Sequence, residues 1–338
     1  MNGPRDRPAG VVARFRHWRH RSRPKAAILR YHRVADLPAD PFDHAVSPER
    51  FAEQIAMVRD RFVPTPLRTI AERRHPPRAV AITFDDGYRD VLDIAHPILA
   101  AAGLTATAFL VTGMLDGARA FWWDTLVRAL LEPGRLPDRL TLPDGTGSWS
   151  LGSAARLEPA DAARFRGWNW RVEAPTERHR VFRAVHDLLK ERSDPERTAL
   201  VDWIRQWAEI DAAPRPTDLP LTAAAVTRLR DDPTLAFGAH TVSHPTLTGL
   251  TPTRRREEIA GAKAALESLL HHPVTSFAYP YGRAARSRDM VEAAGYRCAC
   301  TTGCDLVFPD SDPYRLPRVF VGNWPASTLE RHLEALGL

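Results

Sequence analysis

No stretch of this sequence approaches the roughly 20 consecutive apolar residues that a membrane-crossing helix requires, so no span is expected. The N-terminus also lacks the continuous apolar core of a secretory signal, and the expected address is cytoplasmic. Cysteine is scarce. Cys298, Cys300 and Cys304 form an odd set without CxxC spacing, which argues against a disulfide framework or a zinc clip and reads as reduced thiols. Acidic residues fall short of basic ones by 47 − 41 = 6, but the deficit is not spread along the chain. Arg5 to Lys25 holds eight basic residues against Asp6 alone, a local excess of 8 − 1 = +7, so the remainder is near neutral. A basic groove of the kind that binds nucleic acid is therefore not expected over the folded part.

What remains at the front is a basic arm, residues 1–25. Val11, Val12, Phe15 and Trp18 recur at helical spacing among its arginines, the pattern of a helix lying on an anionic membrane surface. A solvated, disordered tail is the competing reading, because few apolar groups are available. Beyond the arm, a chain of 338 residues with 44% hydrophobic content can build a core without staples.

From Ala26 onward, apolar runs alternate with amphipathic ones. Strands are expected at Ala26 to His32, around the apolar run Ala79 to Ile82, and at Thr105 to Thr112, Leu235 to Ala239, Val274 to Tyr279, Tyr296 to Thr301 and Arg315 to Val321. Helices are expected after Ser47-Pro48-Glu49, over Tyr88 to Ala102 with a kink near His96 because of Pro97, and at Thr253 to His271, Arg283 to Ala294 and Ser327 to Leu336. Strands alternating with helices imply parallel βαβ units, hence an α/β fold: a distorted parallel (β/α) barrel of about seven strands spanning 26–338. Residues 113–233 break the pattern. Phe121 to Leu131, Thr176 to Lys190 and Asp194 to Ile210 look helical around the Pro- and Gly-rich Glu132 to Gly152. The segment also carries Trp122, Trp123, Trp149, Trp168, Trp170, Trp203 and Trp207. It is expected to be an insertion, a lid whose tryptophans either pack helices or offer platforms to a sugar.

Such barrels place their chemistry at the carboxyl ends of strands. Asp85 and Asp86 follow a strand that looks buried on both faces, and two adjacent buried acids call for a cation or a shared proton. His240 and His244 follow another strand, and at i and i+4 of a helical turn they would share a face as imidazole ligands. Asp90, Asp93 and His96 read instead as a polar helix face. His32 ends the first strand and Arg318 lies on the last.

Thr83-Phe84-Asp85-Asp86-Gly87, His240-Thr241-Val242-Ser243-His244 and Phe277-Ala278-Tyr279-Pro280-Tyr281-Gly282, in this order and spacing, resemble the motifs of the polysaccharide deacetylases (NodB homology, carbohydrate esterase family 4). The resemblance implies one divalent metal ion, zinc first among several first-row ions, held by Asp86, His240 and His244. It assigns Asp85 as general base and Tyr281 to the oxyanion. Tyr31-His32 is similar to the branch whose active-site histidine lies near the N-terminus, which makes His32 the candidate acid. Many members carry an arginine before Pro-Tyr that contacts the base. Here Ala278-Tyr279 stands there, and Arg318 is the candidate replacement.

The implied activity is hydrolysis of N-acetyl groups on a sugar of a polysaccharide or a lipid-linked glycan precursor. A precursor at the inner membrane face suits a cytoplasmic address with a basic arm. Two alternatives stand: a catalytically inactive glycan- or membrane-binding barrel, and an amidase acting on a small amide.

Overall fold

The computed structural model of the protein describes residues 24–338; the basic arm as far as Arg23, and with it the proposed membrane helix, lies outside the described residues. Seven parallel strands form the central sheet: β1 (Ala26–Tyr31), β2 (Ala79–Phe84), β3 (Ala106–Leu110), β4 (Leu235–Ala239), β5 (Ser276–Ala278), β6 (Cys298–Cys300) and β7 (Val319–Phe320). Their spatial order is β6-β5-β4-β3-β2-β1-β7, and a two-residue strand, Val63–Pro64, pairs with the start of β2. The sheet curls until its two ends come within one bridge of each other, Cys300 to Leu316, just ahead of β7. This is the expected (β/α) barrel, distorted and open apart from that bridge.

Residues alternate between the two faces of each strand, as a period of two demands. On β1, Ala27, Leu29 and Tyr31 join Phe51, Ile55 and Val58 in the larger apolar cluster. Ala26 and Ile28 face the other way, with Ala81, Phe109, Ala278 and Cys300. The second face is crowded. A Cβ at Gly238 of β4 would stand 2.6 Å from both Phe109 and Ser276, so only glycine admits the sheet's curvature here.

Helices cover the outer face. α1 (Pro48–Arg61) starts as expected, with the Ser47 hydroxyl accepting from the Arg50 N–H and Pro48 in its first turn. The kink near Pro97 is also present: a π-helical turn, Val91–Ala95, passes into α2 (His96–Ala102). The inserted helices α3 (Trp122–Leu131), α4 (Glu177–Lys190) and α5 (Asp194–Trp207) follow, and the chain returns to the barrel before α6 (Pro252–Leu270). Several elements are shorter than the periodicity predicts, since β5 and β6 keep three residues each, β7 two, and the helix expected from Arg283 begins at Arg288.

The inserted helices share a second apolar cluster, in which Phe121, Leu126 and Leu130 of the α3 region meet Phe182, Val185 and Leu189 of α4 and Leu200 and Ile204 of α5. Burying side chains of this size contributes about 1.5–3 kcal/mol each. Phe42, Tyr88 and Val111 from the barrel belong to the same cluster, so the insertion is packed onto the sheet rather than tethered to it. The Pro- and Gly-rich stretch between α3 and α4 is ordered by Arg178, which is 1% exposed and donates to the carbonyls of Glu132, Gly134, Ala154 and Ala155.

Candidate active site

The carboxyl ends of β1, β2 and β4 meet in one cleft. After β2, the Asp85 N–H still bonds the Tyr31 carbonyl at 3.0 Å in the ladder direction, but Asp86 (φ 70°) and Gly87 (φ +83°) are left-handed. That turn frees the two carboxylates from pointing to opposite faces. At Gly87 any Cβ would also stand 2.6 Å from Leu110.

The His240–His244 segment is not the helical turn expected. It is a loop, with Thr241 (φ 70°) and His244 (φ 55°) both left-handed. The buried Glu258 carboxylate of α6 holds it, accepting from the N–H groups of Val242 (2.8 Å) and Ser243 (2.9 Å) and from the Ser243 hydroxyl (2.6 Å). The two imidazoles converge because of this loop and not because of helical spacing.

Both histidines reach Asp86. The Nε2 atoms of His240 and His244 lie 3.5 and 3.4 Å from the same Asp86 oxygen, and each of the three is buried. Ligand atoms around a tetrahedral ion with bonds near 2.0–2.2 Å sit about 3.3 Å apart, close to these two distances, and all three ligand atoms lie within 4.8 Å of one another, so this donor set suits a small divalent cation. His240 Nδ1 bonds the Ala278 carbonyl at 2.8 Å, which puts the proton there and turns the Nε2 lone pair inward. Burial raises the Asp86 carboxyl, His240 opposes that, and Asp85 adds to it, leaving it above the ordinary value.

Asp85 is placed differently. The Arg318 guanidinium, with no exposed surface, grips both its oxygens at 2.6 Å and also donates to the Thr301 carbonyl. Burial works to raise this carboxyl, but Arg318, with His240 and Arg30, outweighs it and holds Asp85 below its usual value. The sequence therefore placed Arg318 beside the acid pair. His32 Nε2 lies 4.0 Å from Asp85. Its ring stacks on His44, centroids 3.6 Å apart, and burial followed by the His44 charge pushes the His32 imidazole well down.

His44 and Glu258 went unnoticed in the sequence. His44 sits in a polar loop, and only the short parallel pairing of Arg33–Val34 with Ala45–Val46 brings it to His32. With His32 and Asp86 it forms a second group whose ligand atoms all lie within 4.8 Å of one another. Tyr281 is left-handed (φ 56°), its ring 4.9 Å from that of His244 and its buried hydroxyl without a hydrogen-bond partner. Asp86, Thr241, His244 and Tyr281 are four of the non-glycine residues with positive φ, a costly conformation that clusters where function fixes the backbone. Asp90, Asp93 and His96 stand apart. They pair with Arg33 (3.0 Å), Arg89 (2.7 Å) and Asp232 (3.0 Å) respectively.

The sequence profile of the polysaccharide deacetylases matches residues 72–136 and 176–299, more than half of the chain. This chain belongs to the polysaccharide deacetylase family. A curated Bacillus subtilis (strain 168) protein, YxkH, whose name assigns it to the polysaccharide deacetylases, is 32% identical over 88 residues. That match covers 26% of this chain and spans only 32% of YxkH. Among solved structures, the Streptococcus pyogenes deacetylase PplD in complex with acetate superposes with a TM-score of 0.56 at 17% identity, covering 91% of this chain and 97% of PplD. IcaB from Ammonifex degensii does so with a TM-score of 0.54 at 19% identity, covering 93% and 98%. At such identities the likeness is one of fold.

In this deacetylase-family chain the insertion walls the cleft, which encloses about 370 Å³ and is lined by Trp123, Trp170, Arg171, His186 and Lys190 beside the barrel residues. Trp170 and Arg171 come from the part that the family profile passes over. The Trp123 ring lies 4.9 Å from His244, and its indole N–H donates to the Tyr88 hydroxyl (2.7 Å), which in turn donates to Asp124 (2.7 Å). Trp149, Trp203 and Trp207 pack against the insertion core and do not line the cleft.

Proposed function

We propose that this protein is a metal-dependent hydrolase that removes N-acetyl groups from an N-acetylated sugar of a polysaccharide or lipid-linked glycan precursor. The observation that carries the reading is the convergence of Asp86, His240 and His244 on one point beside a carboxylate that is itself ion-paired. A divalent ion at that point, zinc first among the candidates, would polarise the acetamide carbonyl and make water a better nucleophile.

The remaining roles belong to the chain. Asp85, kept ionised by Arg318, takes the proton of the attacking water. His32 protonates the departing amine. Because burial favours its neutral form, His32 must gain a proton during the cycle. Asp85 is the near carboxyl but at 4.0 Å lies beyond direct hydrogen-bond reach, so the proton taken from the attacking water would pass between them through a bridging water or the reacting group itself. Tyr281 is assigned to the oxyanion through its backbone N–H, a preorganised donor. Trp123 and Trp170 offer aromatic surface to the sugar. PplD, similar in fold, holds acetate, the small product of such a reaction. The cytoplasmic address at the inner membrane face, with residues 1–25 against anionic lipid, belongs to the same proposal.

Metal content measured beside acetate release from N-acetylglucosamine oligomers tests it. Asp85→Asn should keep the metal and lose about 10²–10⁴ in kcat, the usual worth of a general base. His240→Ala should lose the metal. Undiminished acetate release after complete chelation would overturn the reading.

A further inference from the structure

The cleft holds more positive charge than an uncharged acetamido sugar needs. Arg30, the penultimate residue of β1, lines it, makes no side-chain hydrogen bond or ion pair among the described residues, and has a buried Nε without a partner there. Its guanidinium lies over the Phe320 ring at 5.5 Å, and the Arg171 guanidinium, from the insertion, lies over the same ring at 5.1 Å. Arg171 is paired on one side only, with Asp43 at 3.3 Å. Lys190, at the end of α4, lines the same cleft without an ion-paired acid among the described residues, its ammonium 4.1 Å from the centre of the Tyr281 ring.

The acids of the cleft do not balance these cations. Asp85 is taken by Arg318, and Asp86 faces the two histidines. Burial first, then the Arg318 charge and, more weakly, that of Arg171 make it harder for Arg30 to keep its charge, with Asp85 opposing them. Two guanidiniums fixed on one aromatic ring, with donor groups free, are suited to forked recognition of a phosphate or carboxylate.

We propose that the substrate carries an anionic group, a phosphate or a carboxylate, close to the acetamido sugar, and that Arg30, Arg171 and Lys190 bind it. The inference rests on the deacetylase reading for its substrate but not for its binding test. In the first arm, kcat/KM of the metal-loaded protein is compared on neutral N-acetylglucosamine oligomers, on oligomers ending in a 1-phosphate, and on oligomers containing a carboxylated sugar.

One charged series should be preferred by about ten- to a hundredfold, the worth of one or two charge-assisted contacts, and the series that gains identifies phosphate or carboxylate. The preference should shrink about tenfold in Arg30→Gln and Lys190→Met. Arg171→Gln, on an exposed loop, supplies the same readout should the β1 variant not fold. Equal rates on neutral and charged series, unchanged by these substitutions, would overturn the inference and leave the deacetylase reading intact.

In the second arm, binding of N-acetylglucosamine 1-phosphate and of N-acetylglucuronic-type carboxylated oligomers is titrated by tryptophan fluorescence at rising salt. If no sugar is deacetylated, this arm alone decides. Salt-sensitive binding of a charged sugar that weakens in Arg30→Gln supports the anion site, and binding no tighter than that of the neutral oligomer overturns it.

Discussion

Asp85 and Asp86 are neighbours along the chain but belong to different chemical environments, and Arg318 is the reason. It reaches Asp85 from 233 residues away and satisfies both oxygens, while Asp86 is left to the histidines. Removing the guanidinium leaves a buried carboxylate without a counter-charge, a change that costs about 3–5 kcal/mol. Arg318→Met should therefore lower stability in urea by that amount, and Asp85→Asn introduced on top should recover part of it. Strict additivity of the two losses in this double-mutant cycle would show that the pair is not coupled. At this scale much of the site was legible: Asp85, Asp86, His32, His240 and His244 are polar residues at the ends of apolar runs, and Arg318 stands out on the last strand because Ala278-Tyr279 occupies the place where an arginine is expected before Pro-Tyr. His44 and Glu258 give no such sign. One reaches the cleft through a loop and the other sits on α6, 258 − 244 = 14 residues beyond the histidine motif, and no local spacing encodes either contact.

Elements were legible where burial imposes a clear period, as in β1, β2 and the inserted helices, whose observed limits fall within a few residues of those expected. They were illegible where a tertiary contact overrides local preference. The histidine loop is the example, since the Glu258 carboxylate supplies the acceptor that its N–H groups would otherwise find in the backbone carbonyls of a helical turn. The insertion helix α4 carries a consequence of its own in His186, 3% exposed and packed among the rings of Phe42, Trp122, Trp170 and Phe182. Burial pushes its imidazole down to about 4, against a weaker upward pull from Asp187. Above the unfolded value near 6.5 neither state is protonated there, and stability is full. As pH falls from 6.5 towards 4 the unfolded chain binds the proton and the folded chain resists it, so stability is lost through that window. Between pH 7 and pH 5 this histidine alone accounts for roughly 2 kcal/mol. Urea unfolding of the protein and of His186→Phe at both pH values checks it, with the variant losing less; equal losses would contradict the assignment.

At the scale of the whole molecule, charge as well as apolar packing ties the insertion to the barrel. Arg33, 2% exposed and next to His32, pairs with Asp90 of the barrel at 3.0 Å and stacks on Tyr88 at 4.1 Å. Its Nη1 faces both Asp124 (3.9 Å) and Asp218 (3.8 Å), each from the inserted segment. Deleting residues 113–233 would strip two carboxylates from a buried guanidinium and uncover Phe42, Tyr88 and Val111, so the result should be an unfolded barrel rather than an unlidded enzyme. The intact chain should accordingly melt in a single calorimetric transition, with calorimetric and van't Hoff enthalpies equal. Arg33→Met, which breaks the shared network, should lower that transition without splitting it, because the apolar cluster still joins the two parts. Two resolved transitions in the unsubstituted protein would instead mean that the insertion folds by itself, and its residues in the cleft would then be free to move away from His240 and His244.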